Sequence, residues 1–266
     1  MTDSEFARIV KYTAMRYGIN LHNKKVMVAG RLDNYLETNG YRSYDEYMDK
    51  VENDYTGQEA QNLINILTTN HTYFMREAEH FEFLKDVILP ELKEKEKATR
   101  DLRIWSAAAS SGEEPYTIAM VIKDFFGLDY LNWETSILAT DISRKVLDKA
   151  VQGIYSKEQI QNLPQWWQKG NFVQLGENEY QVKKEIRDKV IFRQFNLMNP
   201  LPFKKKLHVV FLRNVMIYFD EETKKRLVSK IYDFMEPGGY LIIGSTENID
   251  RSAVGFNFVR PSVFRK

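Results

Sequence analysis

Cysteine is absent from the 266 residues, which excludes disulfides, thiol nucleophiles and thiolate metal sites. Charge of one sign is not in excess. The balance of 38 Lys+Arg against 37 Asp+Glu leaves +1 at pH 7, so no global field points to nucleic acid. No apolar run approaches the roughly 20 residues that cross a bilayer. The N-terminus, MTDSEFARIVKYTAMRYG, is acidic at its start and charged throughout; it is neither a signal peptide nor a membrane span. A soluble, cytoplasmic protein without membrane insertion is expected. The four histidines, His22, His71, His80 and His208, are scattered without H-E-x-x-H spacing, so no metal site is expected. G-x-G-x-x-G is missing too, which argues against a pyrophosphate-binding loop and a nicotinamide dehydrogenase. What is present suits one large α/β domain or a main domain plus a small one, with 43% hydrophobic residues to fill a core.

The chain is organised around residues 103–119, RIWSAAASSGEEPYTIA. A buried strand over 103–107 runs into five small residues, 108–112, and then a helix. Small residues let a ligand approach the backbone. Ser110 and Ser111 each precede a glutamate by three, a doubled capping-box pattern, and Pro115 suits the first helical turn. Strand, tight turn and helix N-terminus form the usual place for a nucleotide-like ligand in an open α/β sheet. A capped helix after a core strand reads equally well from this stretch alone.

Before it, residues 1–70 read as four helices. The first ends at Gly18, the second is capped by Asn23 and stopped by Gly40, the third opens with Ser43 and Glu46, and the fourth covers roughly 58–67. Arg8, Lys11, Arg16, Lys24, Lys25 and Arg31 face only Asp3 and Glu5 over the first 31 residues. That surface docks an acidic partner or is an ordinary solvated face. In residues 70–84, NHTYFMREAEHFEFL, a helix is predicted from near Thr72 to about Leu92. Taken by residues alone, Thr72 is an N-cap and Arg76 an exposed helical residue.

After residue 103, strands and helices alternate, which argues for a parallel sheet. Strand 135–140 ends at Asp141, where a carboxylate either caps a turn or accepts hydrogen bonds from ribose hydroxyls; the first turn favours ribose. Ser143 caps the next helix. Residues 153–189 interrupt the alternation with a helix-like aromatic run and a polar hairpin through 176–178. Strands 190–195 and 207–212 follow, ending in Asn196 and in Arg213 and Asn214. Tyr218 and Phe219 precede Asp220, which caps a helix with acids in its first turn. EPGG is predicted as a turn into strand 240–244, and two extended pieces flank Pro261 as a closing hairpin.

The motifs NxTxFxRE, SAAxSxGEEPY, ATDI followed by GIY, FNL, LRNVMIYF and PGGYLIIGSTE occur in order. As a set, this chain resembles the chemotaxis receptor methyltransferases of the CheR type over nearly its whole length, most strongly from Asn70 to Glu247. The resemblance implies a Rossmann-like S-adenosylmethionine-dependent methyltransferase sheet (an α/β fold), with a small all-helical domain over 1–75. The methyltransferase domain would cover 76–266, with an antiparallel β-subdomain inserted at 156–189. It implies transfer of methyl from S-adenosylmethionine to glutamate side chains on the cytoplasmic helices of chemoreceptors, with S-adenosylhomocysteine as product. The cofactor pocket it implies contains Asn70, Thr72, Arg76, Ala107, Glu114 (at the methionine amino end), Asp141 (on the ribose), Asn196 and Leu197 (at the adenine), Arg213 and Asn214. Arg76 and Tyr218 would border the methyl group and the incoming glutamate.

Position 75 is Met where the family continues an aromatic pair. The helix over 24–36 carries fewer basic residues than the receptor-docking helix of the enteric members. The hairpin LGENEYQV has one glycine, against the glycine-rich hairpin with which some members hold a receptor C-terminal pentapeptide. Independence of a pentapeptide is therefore expected, as is a monomer docking receptors by its N-terminal basic helices. A small-molecule methyltransferase and a non-enzymatic module sensing the cofactor are the alternatives. Retention of Arg76 and Tyr218 argues against the second.

Overall fold

The computed structural model describes residues 1–266, apart from the side chains of Ser252 and Ala253. Four helices come first: α1 (Asp3–Tyr17), α2 (Lys25–Thr38), α3 (Tyr44–Asn53) and α4 (Gln58–Leu67). Thr2 and Glu5 close a capping box on α1, and Gly18, left-handed at φ 71°, ends it. Ser43 caps α3 through the Glu46 N–H. Asn23 does not cap α2: Lys24 holds that position without a side-chain bond.

A second departure matters more. No helix starts at Thr72. Met75 and Glu77 adopt left-handed φ of 59° and 56°, which breaks any helical run, and α5 (Glu79–Phe83) begins only after them. It continues through a π-helical turn, Leu84–Ile88, into α6 (Leu89–Lys95). Pro90 opens α6; it has no N–H to donate, which suits the slackened ladder just before it.

Then follow β1 (Ile104–Ala107), α7 (Glu113–Phe126), β2 (Ile137–Asp141), α8 (Arg144–Gln152), β3 (Ile154–Ser156), α9 (Lys157–Ile160), α10 (Gln165–Asn171), β4 (Phe172–Gln174), β5 (Glu179–Val182) and α11 (Lys184–Arg187). The chain closes with β6 (Val190–Gln194), β7 (Leu207–Leu212), α12 (Glu221–Asp233), β8 (Met235–Ile243), α13 (Arg251–Val254), β9 (Asn257–Arg260) and β10 (Val263–Arg265). EPGG is not a turn. It lies inside β8, whose pairing with β7 shifts register between Leu207 and Val209. Gly239 sits there because a Cβ would fall 2.9 Å from the Glu236 carbonyl oxygen and 3.0 Å from that of His208.

The main sheet has the order β6-β2-β1-β7-β8-β10-β9. Its first five strands are parallel, and β10 and β9 add an antiparallel edge. A separate antiparallel sheet has the order β3-β5-β4. Strand alternation divides the core in two. In β7, Val209 and Phe211 face α7 and the residues of α5–α6, whereas Val210 and Leu212 face α12 and the four N-terminal helices. Since β1 has β2 on one side and β7 on the other, strand order reverses between β1 and β7. A crevice opens at the carboxyl ends of the strands at such a point.

Candidate active site

A cavity of about 1010 Å³, its open mouth included, fills that crevice. The residues following four parallel strands line it: Ala108–Ser110 after β1, Asp141 and Ile142 at the end of β2, Phe195–Leu197 after β6, and Arg213–Val215 after β7. The opposite wall is the segment 68–73 with Arg76, completed by Tyr17 and Ile19 from the end of α1 and by Tyr218 and Phe219. Nine predicted residues thus meet with Tyr218 in one cavity: Asn70, Thr72, Arg76, Glu114, Asp141, Asn196, Leu197, Arg213 and Asn214. Ala107 is fully buried in the core and lies outside the lining; its successors, Ala108 to Ser110, line the cavity instead.

The loop after β1 reaches the cavity by alternating left-handed residues, Ala108 (φ 67°), Ser110 (φ 50°) and Gly112 (φ 96°). Gly112, rather than Ser110 or Ser111, caps α7, without a side-chain bond. The Ser111 hydroxyl instead donates to the Glu113 carboxylate at 2.7 Å. Asn214 is left-handed as well. Non-glycine residues in this region cost free energy and persist where surroundings over-determine them. Here Ala108, Ser110 and Asn214 line the cavity and Glu77 braces Arg213 and Asn214 beneath it.

Two buried carboxylates define its polarity. Asp141 accepts the Ser110 N–H at 2.9 Å and the Ser143 N–H at 2.8 Å. Burial pushes its carboxyl above the usual range, and these N–H groups pull it back. Glu114 accepts the Ser106 hydroxyl at 2.7 Å and Arg213 Nη1 at 2.8 Å. Burial likewise raises it, against the Arg213 charge. Arg213 also donates to the Arg76 carbonyl and, at 3.2 Å, to Glu77, and its guanidinium lies 5.1 Å from the Phe81 ring centroid.

Arg76 donates to the His71 carbonyl at 2.8 Å and sits 6.0 Å over the Tyr73 ring. The Tyr218 hydroxyl donates to the Thr69 carbonyl at 3.2 Å, and Lys24 lies 5.8 Å over its ring. Asn196 turns its amide nitrogen to the Arg16 carbonyl at 2.7 Å and accepts the Met198 N–H. It presents backbone rather than a free amide to the cavity.

Sequence reasoning missed two further carboxylates. Glu77 accepts from Asn214 Nδ2 at 3.3 Å and from the Ser245 N–H and hydroxyl at 3.2 and 3.0 Å, besides Arg213. Although burial works to raise it, Arg213, Asn214 and Ser245 hold it below the usual carboxylate range. Glu247 accepts the N–H groups of Asn214 and Gly244 at 2.8 Å and of Met216 at 2.7 Å. It fixes the turn that delivers Tyr218. Both glutamates lie in the quoted motifs, as the last letters of NxTxFxRE and GSTE; their hydrogen-bonding roles needed the three-dimensional contacts. Among the described residues no cluster of three or more potential ligands could hold a metal ion.

The family profile described as the CheR methyltransferase SAM-binding domain matches residues 70–264, and that described as the CheR methyltransferase all-alpha domain matches residues 4–68. The chain belongs to the CheR methyltransferase family. It is 40% identical to the "Chemotaxis protein methyltransferase" of Borreliella burgdorferi over 100% of this chain and 95% of that one. It is 37% identical to the protein of the same description from Escherichia coli, over 93% and 85% of the two chains. The identity with "Chemotaxis protein methyltransferase 2" of Vibrio cholerae is 34%, over 100% and 92%. The sheet, the cavity at its reversal point and the helical layer are therefore those of an S-adenosylmethionine-dependent chemotaxis methyltransferase, with a small all-α domain before it.

The donor set fits such a cofactor. A carboxylate ending β2 suits ribose hydroxyls, a second buried carboxylate suits an ammonium group, and Phe195, Leu197 and Ile142 offer apolar faces for a base.

Proposed function

We propose that this protein methylates glutamate side chains on the cytoplasmic helices of chemoreceptors, forming glutamyl methyl esters. One observation carries the reading: a family cavity for S-adenosylmethionine whose wall holds both a cation, Arg76, and an aromatic, Tyr218. On this reading Asp141 holds the ribose, Glu114 the amino end of the methionine moiety, and the backbone at Asn196 and Leu197 the base. Asn70, Thr72, Arg213 and Asn214 complete the walls. When bound, S-adenosylmethionine supplies an electrophilic methyl to a carboxylate oxygen and leaves as S-adenosylhomocysteine.

The protein's own work is positioning. A free glutamate, pKa about 4.3, is ionised at neutral pH, so no general base is required. His71 lines the cavity, but it serves Arg76 through its carbonyl, and its ring packs against Tyr73 at 5.9 Å. Arg76 orients the incoming carboxylate by charge-assisted hydrogen bonds. Tyr218 presents its ring, and the cavity walls hold the reacting groups in place.

For the domain division we keep an N-terminal helical domain over 1–75, a methyltransferase domain over 76–266 and an inserted β-subdomain at 156–189 as part of this proposal, although α4 already ends at Leu67 and the small antiparallel sheet begins with β3 at Ile154. The N-terminal basic surface is narrower than the sequence implies. Arg8 is engaged by Asp45, Asp49 and Glu52, Lys25 by Asp3, and Arg31 by the Leu67 carbonyl and Thr69. Lys11, Arg16 and Lys24 form no ion pair among the described residues, and we assign receptor docking by a monomer to them. The reading places the protein in the cytoplasm, where receptor helices lie. No described helix is long and apolar enough to cross a membrane.

The hairpin between β4 and β5 offers only Gly176, which supports independence of a receptor C-terminal pentapeptide. Titration calorimetry with such a peptide checks this point, and micromolar affinity would overturn it. For the substrate, a receptor fragment with its accepting glutamates changed to glutamine is expected to take up no labelled methyl while the parent fragment does. Equal labelling of the two would remove glutamate from the reading.

A further inference from the structure

Three groups at the cavity floor are joined by direct ion pairs. Arg213 Nη1 lies 2.8 Å from Glu114 and Nη2 3.2 Å from Glu77. The Arg213 side chain is buried at 2% exposure, and Glu114 and Glu77 are partly buried at 13% and 14%. A guanidinium paired with Glu114 alone would cancel its charge. The floor would then be neutral and hold no net attraction for a second cation. With Glu77 on its other side, Arg213 faces two carboxylates, and the triad holds one carboxylate more than it holds cations.

The other groups nearby are not ion-paired with the triad, and their hydrogen bonds to backbone groups leave the formal charges of Asp141, Glu247 and Arg76 in place, two carboxylates against one guanidinium. His80 packs 3.3 Å from Glu77, and burial lowers it to about 4, so it is neutral. Asp141 is occupied by two backbone N–H groups and Glu247 by those of Asn214, Gly244 and Met216. Arg76 directs its guanidinium to the His71 carbonyl, while its own carbonyl accepts from Arg213.

We propose that Glu77 is a positioning residue that frees Glu114 for the α-ammonium group of S-adenosylmethionine. It does so by sharing Arg213 and keeping one carboxylate in excess over the guanidinium at the floor. The proposal rests on the assignment of Glu114 to the amino end of the methionine moiety. Glu77 is built for the task. Its backbone is left-handed at φ 56°, and Asn214 and Ser245 fix both carboxylate oxygens. Ionisation is thereby favoured despite burial.

The test is binding of S-adenosylhomocysteine and of its deamino analogue, in which hydrogen replaces the α-amino group, to the full chain. The wild type is expected to prefer the amino compound by at least about tenfold. Glu77→Gln should reduce that preference by about tenfold while holding the deamino analogue as before. Glu77→Asp should restore most of the preference, because the charge returns. In turnover, Glu77→Gln should raise the KM for S-adenosylmethionine more than it lowers kcat. An unchanged preference in Glu77→Gln, or equal loss of both compounds there and in Glu77→Asp, would overturn the proposal in favour of a packing role. Failure of the wild type to bind S-adenosylhomocysteine would instead overturn the underlying assignment.

Discussion

At the residue scale, the role proposed for Tyr218 divides between its ring and its hydroxyl. Its hydroxyl is committed to the Thr69 carbonyl, so what remains for the reacting groups is the ring, whose attraction for a cation is about 0.5–2 kcal/mol. Tyr218→Phe is therefore expected to keep cofactor affinity and lose less than about threefold in kcat. Tyr218→Ala is expected to lose about tenfold or more. Steady-state kinetics on a receptor fragment checks both, and a collapse of rate in the Phe variant would return the role to the hydroxyl. On the proposed reading Asp141 serves fold and ligand together. Asp141→Asn leaves one acceptor for the Ser110 and Ser143 N–H groups, so one buried donor loses its partner at about 1–3 kcal/mol. Scanning calorimetry should show a lower Tm and a smaller upward shift on adding S-adenosylhomocysteine. A Tm within error of wild type would mean that the two N–H groups do not need both carboxylate oxygens. Asp141 was legible from sequence because a strand-ending acid after a small-residue turn has a stated chemistry. Glu77 and Glu247 were not, since their partners lie 137 and 33 residues away along the chain.

At the element scale, the loop from β1 to α7 and the segment before α5 show where periodicity informs and where it misleads. β7 has the bounds its apolar pattern predicts, Leu207–Leu212, because burial on all sides leaves little choice, and α7 (Glu113–Phe126) follows the small-residue turn as expected. The segment 70–78 contains helix-forming residues, yet it is held out of a helix by contacts with Arg213, Asn214 and Ser245, partners far along the chain. Local propensity loses to tertiary bonds there. EPGG looks like a turn for the same reason that it tolerates a bulge: glycine permits both. Gly112 is the element most exposed to change. A Cβ at its φ of 96° would lie 2.9 Å from the Ala150 Cβ and 3.0 Å from the Tyr155 hydroxyl. Gly112→Ala is expected to cost about 1–3 kcal/mol, read as a lower denaturation midpoint, and to weaken cofactor binding by displacing Ala108–Ser110. Wild-type stability in that variant would show that the loop relaxes without strain.

At the scale of the whole molecule, both layers over the sheet build one cavity. The end of α1 supplies Tyr17 and Ile19, the Asn20 N–H donates to the Tyr218 carbonyl at 2.7 Å, and Asn196 reaches the Arg16 carbonyl. Acid should loosen the molecule through its buried histidines. Burial lowers His80 to about 4 and lowers His208 as well. Between about pH 6.5 and about pH 4 the unfolded chain binds protons that folded His80 refuses, so stability falls as pH falls through this window. The buried acids Glu113, Glu114 and Asp141, raised by burial, titrate in the opposite sense. Their share cancels in a comparison of wild type with His80→Gln, whose denaturation midpoint should drop less between about pH 7 and about pH 5. Parallel drops in the two would remove His80 from the acid response.

On the proposed reading this cavity makes glutamyl methyl esters with Arg76 at the reacting carboxylate. The most direct measurement is transfer of labelled methyl from S-adenosylmethionine to the cytoplasmic fragment of a chemoreceptor, comparing wild type with Arg76→Ala at equal cofactor saturation. The account expects base-labile label with the wild type and at least about a hundredfold less with the variant. No label from a wild type that binds the cofactor, or full label from Arg76→Ala, would contradict it.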